Sequence, residues 1–578
     1  MYTLSERQAP KRRHVKVLPL LATLVCGSAL AQDFERIAPK PVQPPRQIQE
    51  GSILELRDRT VRVKALTGIV FLSDPQAVRR EGMAGISGVD VSRVPELQTD
   101  AFKTRMAKYL GNPVSLASID DLVRDVVAYF NENDRPFVVA SSPEQEITGG
   151  VLQILVIEGK VGEVKIIGAK IFDEKIYRNA IGLKPGDPIM KRKLDANIEW
   201  LNRNPFRDAT LQLEPGKSFG TTDVTVRARE RPPVRLYAGF DDTGTKVTGN
   251  NRVLAGVNWG NVFGLDHQLN YQFTANPNFD HYRAHSATYI APLPWRHLLT
   301  VFGAYADIKG DVPAPFSLQG RSAQIGLRYE VPLEKIGAYN HGIIAGLDYK
   351  RTNNNLEFGL TNVSASNADV VQGVLSYNAN MPDTSGTTSF TASVYYSPGG
   401  ATGDNSDRNF QTLRALAQSR YAYANLKLQR ITRLPRDFAW HFSAVAQFAD
   451  GNLLGSEQLG AGGYATVRGY NEREANGDEG FLVRNELRTP SWNMGAPFQG
   501  KQAQLQLLSF LDYGFVRNKH LLPGEPRHVE LSSTGLGLRI AVDQNVSFRF
   551  DQGWQLHDTG VAGGRKNSRQ HFALQVNF

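Results

Sequence analysis

Two hydrophobic rhythms divide this chain. In the first, apolar residues recur at helical spacing: Ile119, Leu122, Val123, Val126, Val127 and Phe130 fall at i, i+3, i+4, i+7, i+8 and i+11. That spacing lines one face of a helix, and Ser118 with the acidic pair Asp120 and Asp121 supplies a capping-box-like start. The runs Phe137–Val139 and Val151–Ile157 are short and β-branched, so they predict strands. Upstream, Thr60–Val70 predicts a first strand and Pro95–Leu110 a first helix. The order strand, helix, helix, strand, strand then recurs. Val161–Ile167 predicts a strand, Phe172–Ile181 and Met190–Asn204 two helices, and Ala209–Leu213 with Asp223–Ala228 two more strands. Two tandem α+β modules, at 51–160 and 161–230, account for this simply.

From about residue 231 the helical period is replaced by alternation. Leu269, Tyr271 and Phe273 alternate with Asn270, Gln272 and Thr274, and Val546, Phe548 and Phe550 with Ser547, Arg549 and Asp551. Phe438, Trp440 and Phe442 alternate with Ala439, His441 and Ser443 in the same way. Alternation alone also occurs in a soluble sandwich, whose two apolar faces meet. Size and the terminal strand decide between them. The block runs for some 350 residues, and it closes on Phe572, Leu574, Val576 and Phe578, an alternating strand ending in Phe that resembles the insertion signal of outer-membrane barrels. The expectation is a transmembrane antiparallel β-barrel over 231–578, its apolar face toward lipid and its polar face toward a wet lumen. Spanning strands of roughly 9 to 11 residues plus their connections predict 16 strands, with 14 or 18 left open.

Ahead of the modules, five cations (Arg7, Lys11, Arg12, Arg13, Lys16) and Glu6 precede an uncharged run from Val17 to Ala31. Its ending, Ala29-Leu30-Ala31, predicts a secretory signal peptide over 1–31 cut before Gln32, since the run is too short to span a bilayer. Cys26 follows the bulky Val25, which speaks against a lipoprotein, so Cys26 is expected to be discarded with the signal. Removing five positive charges and one negative takes the net +9 to +5, an ordinary balance that gives no nucleic-acid signature. The remaining chain has no cysteine, which avoids accidental disulfides in an oxidising compartment and excludes a disulfide scaffold or a Cys-ligated zinc site. Residues 32–50 carry Pro39, Pro41, Pro44 and Pro45, so they predict an extended linker with little room for a long helix.

A Gly-rich, loop-like stretch at about 451–480 contains Val467-Arg468-Gly469-Tyr470, and Phe510, Asp512 and Gly514 follow on a predicted strand. A long loop inside a barrel needs an anchor on the wall, and a guanidinium offers a carboxylate five donors. Gly469 permits a bend or a close approach, and Asp512 alternates in phase with Gln506 and Gln504, on a face that can turn to the lumen. The ordered pair V-R-G-Y and F-x-D-x-G resembles the POTRA-barrel superfamily. With two modules and a Pro-rich leader, the chain is similar to the two-partner secretion transporters of the haemolysin-activator/haemagglutinin-transporter type. Pro143-Glu144-Gln145, Gly150-Val151-Leu152 and Ile157-Glu158-Gly159-Lys160-Val161-Gly162 resemble the end of that family's first POTRA module. Asp241-Asp242-Thr243-Gly244 with Thr248-Gly249 resembles a D-N-x-G…T-G signature in which Asp242 replaces Asn, a change expected to affect a turn.

The resemblance implies an outer-membrane translocator whose two periplasmic POTRA domains capture one large unfolded exoprotein through its N-terminal secretion domain. It implies that Arg468 anchors the sixth outer loop to Asp512, and that residues 32–50 stand where the family carries a plugging helix and linker. Outer-membrane lipid, the barrel-assembly machinery and periplasmic chaperones are the other partners expected. The motifs H-E-x-x-H, G-x-x-x-x-G-K-[ST] and G-x-S-x-G are missing, so an enzyme, a cofactor or a catalytic metal has no case in the sequence. Two rival readings remain at this stage: an assembly or insertase factor of the same superfamily, and a soluble secreted β-sandwich adhesin.

Overall fold

The computed structural model describes residues 58–578 except 246–247, 311–315, 359–360, 497–499, 524 and 561–566. The expected signal peptide with Ala29 and Ala31, and the linker at 32–50, lie outside the described residues. The chain divides into two compact units, with the boundary at Pro232–Pro233.

The first unit holds both α+β modules. In the first module a four-stranded sheet runs, in spatial order, Gly88–Asp90, Gly68–Leu72, Val151–Glu158, Val138–Ser141. Two helices, Asp100–Ala107 and Leu116–Glu132, cover it. The long helix buries Leu122, Val126 and Phe130 against Phe71, Phe102, Leu152 and Ile154. Its start differs from the sequence reading. Ser115, three residues before Ser118, is the cap, accepting from the Ser118 N–H at 3.2 Å while the Ser118 hydroxyl accepts from the Ser115 N–H at 2.8 Å. A reciprocal pair needs both serines, and Ser118 is its inner member. The predicted first strand is shorter, and the edge strand Gly88–Asp90 was not predicted, because three residues carry no alternation to read.

The second module has the sheet order Lys160–Ile167, Thr221–Glu230, Arg207–Pro215, with helices Glu174–Ile181 and Lys191–Leu201 packed through Phe172, Tyr177, Ile181 and Leu201. The helix Lys191–Leu201 has no side-chain cap of its own. Asp134, just beyond the first module's long helix, provides one by accepting from the Arg192 N–H at 2.8 Å, which ties the two modules together.

The second unit is a closed antiparallel barrel, not a sandwich. Sixteen strands follow one another in chain order, the twelfth (Glu479–Arg488) continuing into Trp492–Asn493 on the same neighbour. The first strand (Val234–Asp241) closes on the sixteenth (Ser568–Asn577) through five registered pairs, from Asp241–Ala573 to Tyr237–Asn577. The strands used below are the seventh (Asn340–Phe358), eighth (Thr361–Asp383), tenth (Arg420–Arg433), eleventh (Ala439–Ala449), thirteenth (Ala503–Arg517), fourteenth (Val529–Val542) and fifteenth (Val546–Gln555).

The alternation in sequence is the alternation in space. Ile325, Leu347, Leu375, Val394 and Leu511 are exposed on the outer wall, while Asp512, Asp551 and His571 are fully buried on the inner one. Such a wall suits acyl chains outside, and closure pairs the edge of every strand. Phe572, Leu574 and Val576 point outward along the last strand, and Phe578 follows it, three-quarters exposed.

Candidate functional site

Between the eleventh and twelfth strands the chain leaves the wall for residues 450–478 and folds into a hairpin of Leu459–Ala461 against Ala475–Gly477. Val467, Arg468, Gly469 and Tyr470 lie at its tip, and the structure brings them against the inner wall.

Arg468 is the centre of the arrangement. Its Nε lies 2.7 Å from Asp512 Oδ2 and its Nη2 2.8 Å from Oδ1, while its own backbone N–H donates to Oδ2 at 3.2 Å. Nη1 lies 2.7 Å from Glu486 Oε1 on the twelfth strand. The guanidinium carbon stacks 3.6 Å from the centroid of Phe510, one turn of the pleat from Asp512. Both Arg468 and Asp512 are wholly buried. The watery surroundings expected for this pair are therefore absent, because Phe510 and the hairpin itself cover it. Burial alone would favour the neutral guanidine, but the charge and hydrogen bonds of Asp512, with Glu486 and Asp551 beyond, outweigh it and hold the Arg468 pKa above its ordinary value.

Glycine makes the docking possible. Gly469 has φ 87°, a conformation that favours Gly, and a Cβ there would stand 3.0 Å from the carbonyl carbon of Gly553 on the fifteenth strand. A side chain on Gly553 would meet the Gly469 nitrogen at 2.6 Å, so the two backbones cross with nothing between them. The Gly469 N–H donates to His571 Nε2 at 3.1 Å, and its carbonyl accepts from Gln555 Nε2 at 2.8 Å. Gly514 clears space in a different way: a Cβ there would lie 2.9 Å from Val467, which packs with Leu482, Val516 and Leu531. The buried Tyr470 carries its hydroxyl to 2.9 Å from the Ser532 carbonyl on the fourteenth strand.

The wall around the tip is charged. Glu486 also meets Arg484 at 3.1 Å and Arg488 at 2.6 Å, Asp551 is paired with Arg539 at 2.9 Å, and Arg549 stacks 3.4 Å from the Tyr464 ring. Glu486, Asp551, Gln555 and His571 were not singled out from sequence, although parity marks two of them. Asp551 shares the polar phase of Arg549, and His571 lies opposite in phase to Phe572 and Leu574. Phe572, Leu574, Val576 and Phe578 belong to the lipid-facing wall and take no part in this site.

Asp242, read from sequence as a turn former, extends the barrel closure instead. Its N–H donates to the Phe572 carbonyl at 3.3 Å, its Oδ1 accepts from the Phe572 N–H at 2.9 Å, and Oδ2 lies 3.3 Å from His571 Nδ1. His571 thus touches the hairpin tip with one ring nitrogen and the end of the first strand with the other. The arrangement fastens a loop to the inner wall. Among the described residues, no group of His, Cys, Asp or Glu is placed to hold a metal ion.

Comparison with known proteins follows the same outline. A family model described as "Haemolysin secretion/activation protein ShlB/FhaC/HecB" matches residues 220–540, a ShlB-type POTRA domain matches 85–159, and a further POTRA model, "Surface antigen variable number repeat", matches 159–231. The heme/hemopexin transporter protein HuxB of Haemophilus influenzae is 24% identical over 458 residues, spanning 77% of this chain and 79% of HuxB. The outer membrane transporter CdiB of Escherichia coli is 24% identical over 534 residues, spanning 88% and 85%. The solved structure of CdiB from Escherichia coli matches with a TM-score of 0.73 and 18% identity over 94% of each chain, a likeness of fold.

Proposed function

Because the chain belongs to the haemolysin secretion/activation family of two-partner secretion transporters, with its barrel in the outer membrane and its POTRA modules in the periplasm, we propose that it exports one large partner exoprotein, unfolded, through its own barrel. The modules capture the partner's N-terminal secretion domain. The edge strands of the first module, Gly88–Asp90 and Val138–Ser141, suit an added extended strand, with the flanking helices selecting alternate side chains. The periplasm supplies no ATP. Folding of the emerged segments outside the cell makes return unfavourable and drives the passage. The chain itself reaches the membrane through periplasmic chaperones and the barrel-assembly machinery, with Phe572, Leu574, Val576 and Phe578 as its insertion signal.

The observation that carries this reading is the hairpin clasped to the inner wall by Arg468 and Asp512. A loop fastened inside a barrel occupies room that a passing chain needs, and an anchor on the wall keeps it within reach while it is shifted and returned. Deleting the gene and comparing the extracellular proteins tests it: a single very large protein disappears and returns with the wild-type gene. Arg468→Ala inserts as a folded, heat-modifiable barrel but restores secretion at least severalfold less well. Normal secretion by that variant would show that the anchor has no role, and an unchanged set of extracellular proteins after deletion would end the export reading.

A further inference from the structure

The hairpin is held at a second place, on other strands. Glu457, at its base, has a fully buried carboxylate. Lys350 Nζ on the seventh strand donates to both of its oxygens, at 2.8 and 3.0 Å. Gln372 Nε2 on the eighth strand reaches Oε2 at 3.0 Å, and the Tyr423 hydroxyl on the tenth reaches it at 2.8 Å. Gln372 is itself oriented by the Tyr421 hydroxyl at 2.9 Å, and Tyr423 stacks on Tyr395 with ring centroids 4.5 Å apart. On the eleventh strand Gln447 Nε2 lies 3.0 Å from the carbonyls of both Glu457 and Asp478, so one amide draws the two legs of the hairpin together. The tip meets strands twelve to sixteen and the base meets strands seven, eight, ten and eleven, so the loop is a strap fastened to two adjoining arcs of the wall.

We propose that Glu457 is a second positioning residue for transport, the base clasp of the strap, and that its grip on Lys350, Gln372 and Tyr423 keeps the idle lumen closed. The two clasps differ in kind. The tip has a planar guanidinium forked onto one carboxylate, in contact with a second and stacked on a ring, and on the returning leg Asp478 is forked by the Arg414 guanidinium, whereas Glu457 relies on one lysine, a point charge on a flexible stem. The Glu457 clasp is therefore the weaker fastening and the first to yield, while Asp478 stays held as the hinge. When it opens, the hairpin keeps its tip and pivots, which clears the side of the lumen lined by strands seven to ten while the Arg468 anchor holds the loop for return.

The inference rests on the reading of the barrel as a conduit, and ion current, which needs no partner protein, separates the two. Full-length protein is reconstituted in planar lipid bilayers and its current recorded without any partner. Glu457→Gln and Lys350→Met each raise the time spent conducting by about tenfold or more, as the loss of a hydrogen-bonded buried charge implies, and Tyr423→Phe raises it less. The double exchange Lys350→Glu with Glu457→Lys returns the trace toward the wild type, a rescue that a merely structural role would not give. Each variant is first shown to migrate as a folded barrel in an unheated gel, and Lys350→Met and Tyr423→Phe carry the test should the loop variants fail to fold. Wild-type current in folded Lys350→Met and Tyr423→Phe overturns the clasp and leaves the export reading intact. Failure of the gene-deletion test ends the export reading while the current prediction stands.

Discussion

Glu472, two residues beyond the tip, shows what docking asks of a single side chain. The residue is half-buried, and its carboxylate accepts from the Tyr464 N–H at 2.7 Å. Burial pushes its pKa up to about 7, from an ordinary 4.5, and the charge of Asp242 adds to this; the Tyr464 amide, Arg569 and Arg549 pull the other way without cancelling it. A loop released into water would ionise Glu472 normally. The docked form therefore binds the proton more tightly, so its advantage is whole below about pH 4.5 and is lost as the pH rises through about 7. The difference is on the order of 2 kcal/mol, less than the full shift implies because part of the residue reaches solvent. Protease cleavage of the loop in membrane-embedded protein should accelerate between pH 5 and pH 8, and Glu472→Gln should remove that part of the pH dependence. Equal pH dependence in both proteins would mean that the carboxyl is already solvated when docked.

At the level of elements, the closing seam is the short join of the barrel. Five registered pairs link the first and last strands, and Asp242 adds a sixth position through its side chain. Asp242→Asn keeps the oxygen that accepts from the Phe572 N–H, so it should leave the heat-modifiable transition nearly unchanged. Asp242→Ala strands that amide and should cost about 1 to 3 kcal/mol, read as a lower conversion temperature of the folded band. Why the family pattern admits Asp or Asn here becomes clear only from the seam, since the partner lies 330 residues away. The same distance separates what was legible in the sequence from what was not. Strand against helix and inner face against outer face followed from local periods, because lipid and lumen impose an alternation that each strand carries by itself; the number of strands came only from the length of the block, which left 14 and 18 open beside the observed 16. Arg468 and Asp512 were readable because each sits in a short patterned motif. Glu457, Lys350 and His571 were not, since nothing beside them in the chain marks a residue whose partner is about 100 positions away. The cap at Ser115 and the three-residue strand Gly88–Asp90 escaped for the opposite reason, being too small to show a period.

On the scale of the whole molecule, the barrel has one solvent outside and another within. The exposed outward side chains Leu347 and Leu375 on neighbouring strands belong to the acyl-facing band. A charge there must be taken out of water, so Leu375→Arg should destabilise the barrel by about 2 to 4 kcal/mol if it sits at the midplane, and less toward either rim. The measurement is the urea midpoint of refolding into vesicles. A midpoint equal to the wild type would place Leu375 against water or protein instead of hydrocarbon. The strap inside follows the opposite rule: the charges of Glu457 and Arg468 are stable in a buried place because each meets an opposite charge from a different stave, Lys350 and Asp512 respectively.

That division of partners limits how the strap can be exchanged. Residues 450–478 form a continuous stretch that looks like a cassette, yet their complementary groups are scattered over Lys350, Gln372, Tyr423, Gln447, Glu486, Asp512 and His571. A chimera that imports the stretch alone from a relative arrives with locks and no keys, and a working transplant has to bring the matching staves along with it.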